Sequence, residues 1–391
     1  MVGVSKTGVK QIRLTNFRSY DAMNLVLDDA LEPVILTGHN GAGKTNVLEA
    51  VSFLTAGKGL RGARLADVAK RTGDDLLVAD GDVIKLPARW SVSAKVQTIN
   101  GEVQIGTGTV DGSERRQIRI DGNPVSKQAT LGEVFRCLWL TPAQDRLFCG
   151  DPASRRRFLD RLVQAFDPTH ATRTSEYNTA FKQWSHLLRE GRYDTAWLSA
   201  LEKQMALSGV AIAASRLDIA ERISGYLQEP IARLFPCPDI SLTGIVEQAL
   251  QNKPAVLVEQ EFADILAKSR KNYADGGSVS GPHTADFKVN HRQKNMDASL
   301  CSTGEQKALL ISIILAQMKA QMNEQGLCPI LLMDEVAAHL DVKRRNELFD
   351  ILHALPAQVW MTGTDVASFS HLTGRAQFFD VEESILSKLV A

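Results

Sequence analysis

Apolar residues follow two periods along this chain. Up to about residue 125 they come in short runs bounded by turn residues, at 9–14, 23–27, 33–37, 76–84, 89–98, 103–110 and 115–120. Such runs predict strands, and Asp121-Gly122-Asn123-Pro124 ends the set with a turn. One helical stretch interrupts them at 44–55, where Val47, Leu48, Val51 and Leu54 share a face. From residue 151 the spacing is helical. Asp151-Pro152 is an N-cap followed by a first-turn proline, and Phe158, Leu159, Leu162, Val163 and Phe166 line the helix it opens. Asp167-Pro168-Thr169 starts a second helix towards residue 190, and a third runs from 194 towards 234, with Gly209 and Gly225 expected to interrupt it. No heptad is sustained, so a compact helical lobe is expected rather than a long coiled coil. After about residue 275 strands and helices alternate again: 329–333 is a continuously apolar strand, 342–355 a helix and 357–362 a strand. The pattern therefore predicts an α/β domain built from residues 1–150 and 275–391, with residues 151–274 inserted as a helical lobe.

Composition narrows the class. At 391 residues the chain exceeds one compact core, and 44% hydrophobic with 23% charged residues is ordinary for a globular protein. The longest apolar run, 308–318, is broken by Ser312 and Gln317, so no membrane span is expected. Residues 1–10 are polar and lack an export core; a cytoplasmic location follows as the expectation. Lys and Arg number 45, as do Asp and Glu, and no segment forms a basic arm. Any nucleic-acid surface must be assembled by folding or dimerisation. Cys137, Cys149, Cys237, Cys301 and Cys328 are scattered without a C-x-x-C pair, which points to neither zinc nor a redox couple.

The chemistry starts at Gly38-His39-Asn40-Gly41-Ala42-Gly43-Lys44-Thr45, which fits G-x-x-x-x-G-K-[ST] between a predicted strand and a predicted helix. Glycines let such a loop curl so that backbone N–H groups face phosphates, and the helix N-terminus adds positive potential. Lys44 would reach the β- and γ-phosphates of ATP, and Thr45 would place its hydroxyl on Mg²⁺. A second element is Ile330-Leu331-Leu332-Met333-Asp334-Glu335, a buried strand delivering two acids to its C-terminal edge. Asp334 would hold the metal shell, and Glu335 would orient and deprotonate the attacking water. Lys44 and Asp334 lie 290 positions apart. Small P-loop kinases and GTPases need no such insertion, which favours the ABC-type ATPases of chromosome maintenance.

Cys301-Ser302-Thr303-Gly304-Glu305-Gln306, before a helical run, resembles the ABC signature L-S-x-G-Q or L-S-x-G-E. In that superfamily the motif meets the γ-phosphate bound on the other subunit, so Ser302 and Gly304 would complete a partner's site; a helix cap is the alternative. Ala338-His339-Leu340-Asp341 resembles the D-loop, or else a polar helix start.

The ordered set Thr15-Asn16-Phe17-Arg18-Ser19-Tyr20, the phosphate loop, Ser154-Arg155-Arg156-Arg157-Phe158-Leu159-Asp160, Gly281-Pro282-His283, the signature and the two acids resembles the RecF family of bacterial recombination mediators over nearly the whole chain. The resemblance implies an ABC-type P-loop ATPase head made by both chain ends, with an inserted α-helical lobe. It further implies an ATP-dependent homodimer that binds DNA at single-stranded gaps and duplex junctions. RecO and RecR would be its partners in loading RecA, within DNA repair, replication restart and the SOS response. The rival readings are a nucleotide-binding subunit of an ABC transporter and an SMC-type structural ATPase. Thr284 follows Gly-Pro-His where the family commonly has arginine. Thr362-Gly363-Thr364 stands where transporters usually carry a switch histidine, so weak or regulated hydrolysis is expected.

Several residues keep two readings. Arg18 either reaches the nucleotide or is a solvated arginine at a strand end. Gln144 is either a magnesium-sensing Q-loop residue or part of a surface turn. Arg155, Arg156 and Arg157 either meet phosphate or form a solvated helix face, and Lys58, Arg61 and Arg64 are candidates for a DNA surface. Trp139 and Trp360 read as core, and His283 as a hydrogen-bonding residue of the fold.

Overall fold

The computed structural model describes residues 7–389 except 71–75, 80–81, 86–88, 99, 111–114, 192–193, 229 and 231–232. Residues 1–6 of the polar N-terminal stretch and the middle of the 76–84 run lie outside the described residues. The chain divides into two compact units. One comprises Met1–Asp145, Ala232–Leu234 and Met318–Ala391; the other comprises Arg146–Ile231 and Phe235–Gln317. Residues 275–317, expected with the chain ends, thus cluster with the inserted segment.

The first unit opens with a hairpin of β1 (Gly8–Phe17) and β2 (Tyr20–Val26), whose register pairs Phe17 with Tyr20 across Arg18-Ser19. Val9, Ile12, Leu14 and Phe17 point inward, while Arg13 and Thr15 face out. Next come β3 (Val34–Thr37), buried throughout, and α1 (Lys44–Ser52). The expected strand at 76–84 is instead a hairpin, β4 (Leu76–Ala79) with β5 (Asp82–Lys85). The intervening Asp80-Gly81 is a hairpin-turn pair in sequence, and a hydrophobic count alone passes over it. There follow β6 (Ser91–Thr98), β7 (Gly101–Gly108), β8 (Gln117–Ile120), β9 (Asn123–Pro124), α2 (Ala129–Val134) and β10 (Cys137–Leu140). An antiparallel sheet takes the order β2-β1-β6-β7-β8-β9.

The second unit holds α3 (Pro152–Phe166), α4 (His170–Arg189) and α5 (Thr195–Tyr226). Asp151 caps α3 by accepting from the Ser154 N–H, as the sequence predicts, and Asp194 caps α5 by accepting from the Trp197 N–H. Gly209 does not interrupt α5. A Cβ there would sit 3.1 Å from Phe262 and Tyr177 and 3.2 Å from Pro282, so this glycine admits close packing against the helix. The inserted segment is not all helix. β11 (Pro238–Thr243) lies within it, followed by α6 (Ile245–Leu250) and α7 (Ala255–Ala274). β11 pairs antiparallel with β12 (Asp286–His291), which also pairs with β13 (Met296–Asp297). α8 (Thr303–Gln325) follows.

The chain passes back into the first unit within α8, at Met318, and continues there with β14 (Ile330–Met333), α9 (Val342–Ala354), β15 (Val359–Thr362), β16 (Gln377–Glu382) and β17 (Ile385–Leu389). These strands form a sheet of order β10-β14-β15-β3-β16-β17, parallel except for β17. β14 and β15 are buried at every position, as expected of strands covered on both faces. Gln358, wholly buried, ties this sheet to β1: its side chain accepts from the Val9 N–H at 2.9 Å, donates to the Val9 carbonyl at 3.1 Å and accepts from the Trp360 indole at 2.8 Å. Trp360 is core, as expected, and Trp139 is half-buried.

Candidate nucleotide site

β3 ends at Thr37, and the loop that follows turns on glycines. Gly38, Gly41 and Gly43 have φ of 139°, 87° and 115°. A Cβ on Gly38 would lie 2.2 Å from the Val381 carbonyl oxygen, and one on Gly43 would lie 2.8 Å from the Tyr20 hydroxyl. Only glycine satisfies both the backbone angle and the space at these two positions. His39, Asn40 and Gly41 form the exposed rim, and Ala42 is buried beneath it. α1 starts at Lys44, directing its N-terminus at the loop. Lys44 Nζ donates to the carbonyls of Gly38 at 2.6 Å and His39 at 2.8 Å. Burial pulls its ammonium below the ordinary lysine value, against the carboxylates of Glu335, Asp334 and Asp380. The far end of α1 is held by Arg116, which donates to the carbonyls of Phe53, Thr55 and Gly57. Nothing in the local sequence around Arg116 announces this clamp.

β14 carries the acids to the same place. Thr45 Oγ1 lies 2.9 and 3.0 Å from the two carboxylate oxygens of Asp334, so the fold joins the residues expected to share the metal. Thr362, at the end of the neighbouring β15, donates its hydroxyl to Asp334 Oδ1 at 2.7 Å and accepts from the Glu335 N–H at 2.8 Å. Glu335 is half-buried and sits at φ 49°, a left-handed backbone unusual for glutamate. The described residues contain no cluster of three or more His, Cys, Asp or Glu able to cage a metal. One hydroxyl beside one carboxylate is instead the hard-oxygen donor set that suits Mg²⁺, which retains waters and phosphate oxygens in its shell.

The remaining candidates divide. Arg18 is not the solvated arginine of the second reading: it makes a two-pronged pair with buried Glu49 at 2.6 and 2.8 Å and donates to the Asp67 carbonyl. Arg61 joins it on Glu49 at 2.7 Å, whereas Lys58 and Arg64 are exposed. Gln144 is buried and bonds back to the Thr141 N–H in a capping box. Asp341 caps α9 through the Arg344 N–H at 2.9 Å, and those backbone hydrogen bonds hold its carboxyl below the usual range.

Ser302 and Gly304 belong to the second unit, at the start of α8. Ser302 Oγ and Glu305 Oε2 lie 2.9 Å apart, and the Ser302 N–H donates to the same oxygen, so this segment forms a helix cap. The Lys294 ammonium holds the Glu305 carboxyl down to about 2. Arg155 is not on a solvated face, being paired with Asp286 at 2.7 and 2.9 Å, while Arg156 donates to the Ala285 carbonyl. His283 is an internal hydrogen-bonding residue, 2.7 Å from the Tyr177 hydroxyl and 3.0 Å from the Val279 carbonyl.

Comparison with known proteins joins this geometry to a lineage. The family described as RecF/RecN/SMC N terminal domain matches residues 8–383. The DNA replication and repair protein RecF of Agrobacterium fabrum is 45% identical over 381 residues, 96% of this chain and 97% of that protein. The chain belongs to the RecF family. RecF of Mesorhizobium japonicum is also 45% identical, over 97% of both proteins. A solved structure of the recombination mediator protein RecF with ATPrS in the RecFOR pathway covers the whole of both chains at a TM-score of 0.83 and 20% identity, showing a shared fold. The Smc head domain from Pyrococcus furiosus matches more loosely, at a TM-score of 0.52 and 14% identity over 98% of this chain and 96% of that one. The RecF assignment thus stands above the SMC and transporter alternatives. Among the described residues no helix is long and apolar enough to cross a membrane.

Proposed function

We propose that this chain is an ATP-dependent DNA-binding protein of recombinational repair, with weak hydrolysis. Two copies close on nucleotide and act at single-stranded gaps and duplex junctions to promote RecA loading with RecO and RecR. The observation that carries the reading is the contact of Thr45 with Asp334, which unites the phosphate loop and the acidic strand end in one site. The names of the relatives support the repair role, and a solved RecF–ATP structure of the RecFOR pathway supports the nucleotide.

Bound ATP and Mg²⁺ would supply the transferable phosphoryl group and the charge that balances it. Lys44 would offer its ammonium to the phosphates, and Thr45 with Asp334 would hold the metal. Thr362 keeps the Asp334 carboxylate and the Glu335 backbone in register, and the Glu335 carboxylate would accept a proton from water. Ser302 and Gly304, at the N-terminus of α8, would meet the γ-phosphate held by a second copy, with Asp341 beside the same junction. Hydrolysis then acts as a timer that reopens the pair.

Affinity for gapped duplex DNA, measured by anisotropy with ATP and without nucleotide, tests this reading. ATP is expected to tighten binding at least tenfold. Equal affinity in the two conditions would remove the gate.

A further inference from the structure

The first turn of α8 already holds an anion of its own. Ser302 Oγ donates to Glu305 Oε2 at 2.9 Å, and the Ser302 N–H donates to the same oxygen at 3.1 Å. The Glu305 N–H returns a longer bond, 3.4 Å, to Ser302 Oγ. Both Ser302 donors are therefore committed to a carboxylate of the same chain. A helix start needs no more than this reciprocal pair. The other carboxylate oxygen, Oε1, is held as well, by the Lys294 ammonium. Lys294 ends the short helical turn Arg292–Lys294, and Asn295, at φ 46°, redirects the chain directly after it. The carboxylate thus has two anchors, one on each oxygen.

Charge and geometry set Glu305 against the ligand proposed for this segment. A phosphate oxygen presented by a second copy needs the same N–H and hydroxyl. Those donors cannot serve two anions, and two anions brought to one pair of donors repel. The carboxylate has to leave first. Lys294 gives it a place to stay: Oε2 can swing off Ser302 while Oε1 keeps its ammonium partner. A terminal phosphate, more highly charged than a carboxylate, prevails in that exchange. In such a two-state element the apparent affinity for the ligand is reduced by the fraction of molecules that stand open.

Resting on the reading that nucleotide joins two copies at Ser302, we propose that Glu305 is an autoinhibitory plug. It fills the phosphate position of the signature segment in the free chain, and Lys294 retains it when the second copy's nucleotide arrives. The plug sets how much ATP is needed to close the pair.

Light scattering of the full chain carrying Glu335→Gln, to slow hydrolysis, tests this in a titration with ATP and Mg²⁺. Glu305→Gln and Lys294→Ala are added singly and together. Glutamine can keep the reciprocal cap, since its carbonyl accepts from the Ser302 N–H, but it removes the charge. Circular dichroism without nucleotide checks that each variant is folded. Glu305→Gln is expected to lower the ATP concentration at half-association at least threefold. Lys294→Ala, which leaves the carboxylate only Ser302, is expected to raise it at least threefold, and to change nothing once Glu305→Gln is present.

An unchanged or higher ATP requirement in Glu305→Gln overturns the plug, because a plain helix cap gives that result. An equal effect of Lys294→Ala with and without the Glu305 charge overturns the retaining role of Lys294. A Glu335→Gln chain that stays single at saturating ATP overturns the joining of copies itself, and the plug with it.

Discussion

Thr362 touches both halves of the acidic pair, donating to the Asp334 carboxylate and accepting from the Glu335 N–H. Removing its hydroxyl while keeping its shape leaves a carboxylate oxygen short of a donor and an N–H without its acceptor, a loss of about 1–3 kcal/mol in a buried site. Thr362→Val is therefore expected to lower kcat for ATP hydrolysis about tenfold or more, with ATP affinity changed less than threefold, and Thr362→Ser to restore it. Equal kcat in the valine variant would remove this positioning role. Lys44, Thr45 and Asp334 were legible in the sequence because their chemistry is tied to local motifs. Thr362 was noticed only as a replacement for histidine, since its partners lie just past the end of the adjacent strand β14. The Arg18–Glu49 pair was not readable for the same reason: Glu49 lies on the buried face of α1, where an apolar count leaves an acid unexplained.

At the scale of elements, the helices of the second unit are joined by a buried ionic cluster. Asp160 on α3 accepts from Arg216 on α5 at 2.8 and 2.9 Å and lies 2.9 Å from His170 Nε2 on α4. Burial pushes the Asp160 carboxyl up, but the hydrogen bond of His170 and the charge of Arg216 outweigh it and bring it down to about 2. A carboxyl depressed on folding stabilises above its unfolded value, near pH 4, and loses that contribution as pH falls towards 2. The amount is about 2 kcal/mol. Asp160→Asn, which strands a buried guanidinium, is expected to cost about 3 kcal/mol at neutral pH in urea unfolding. The gap from wild type should narrow by about 2 kcal/mol between pH 5 and pH 2, whereas a constant gap would contradict the assignment. The start of α3 was readable from its cap, Asp151 before Pro152. The pairing of β11 with β12 was not, because the whole of α6 and α7 intervenes between them.

At the scale of the molecule, forty-five basic and forty-five acidic residues balance, so the total charge points to no partner. The α/β class was visible in the periods of the two chain ends, whereas the division into units was not. The stretch 275–317 reads as alternating strand and helix but packs with the inserted segment. The central claim is that nucleotide joins two copies, with the Lys44 loop of one served by the Ser302 segment of the other. Light scattering of Glu335→Gln, in which slowed hydrolysis holds the closed state, tests it most directly. The account predicts that saturating ATP and Mg²⁺ double the mass and that adding Ser302→Arg restores the monomer. A mass unchanged by nucleotide would contradict it.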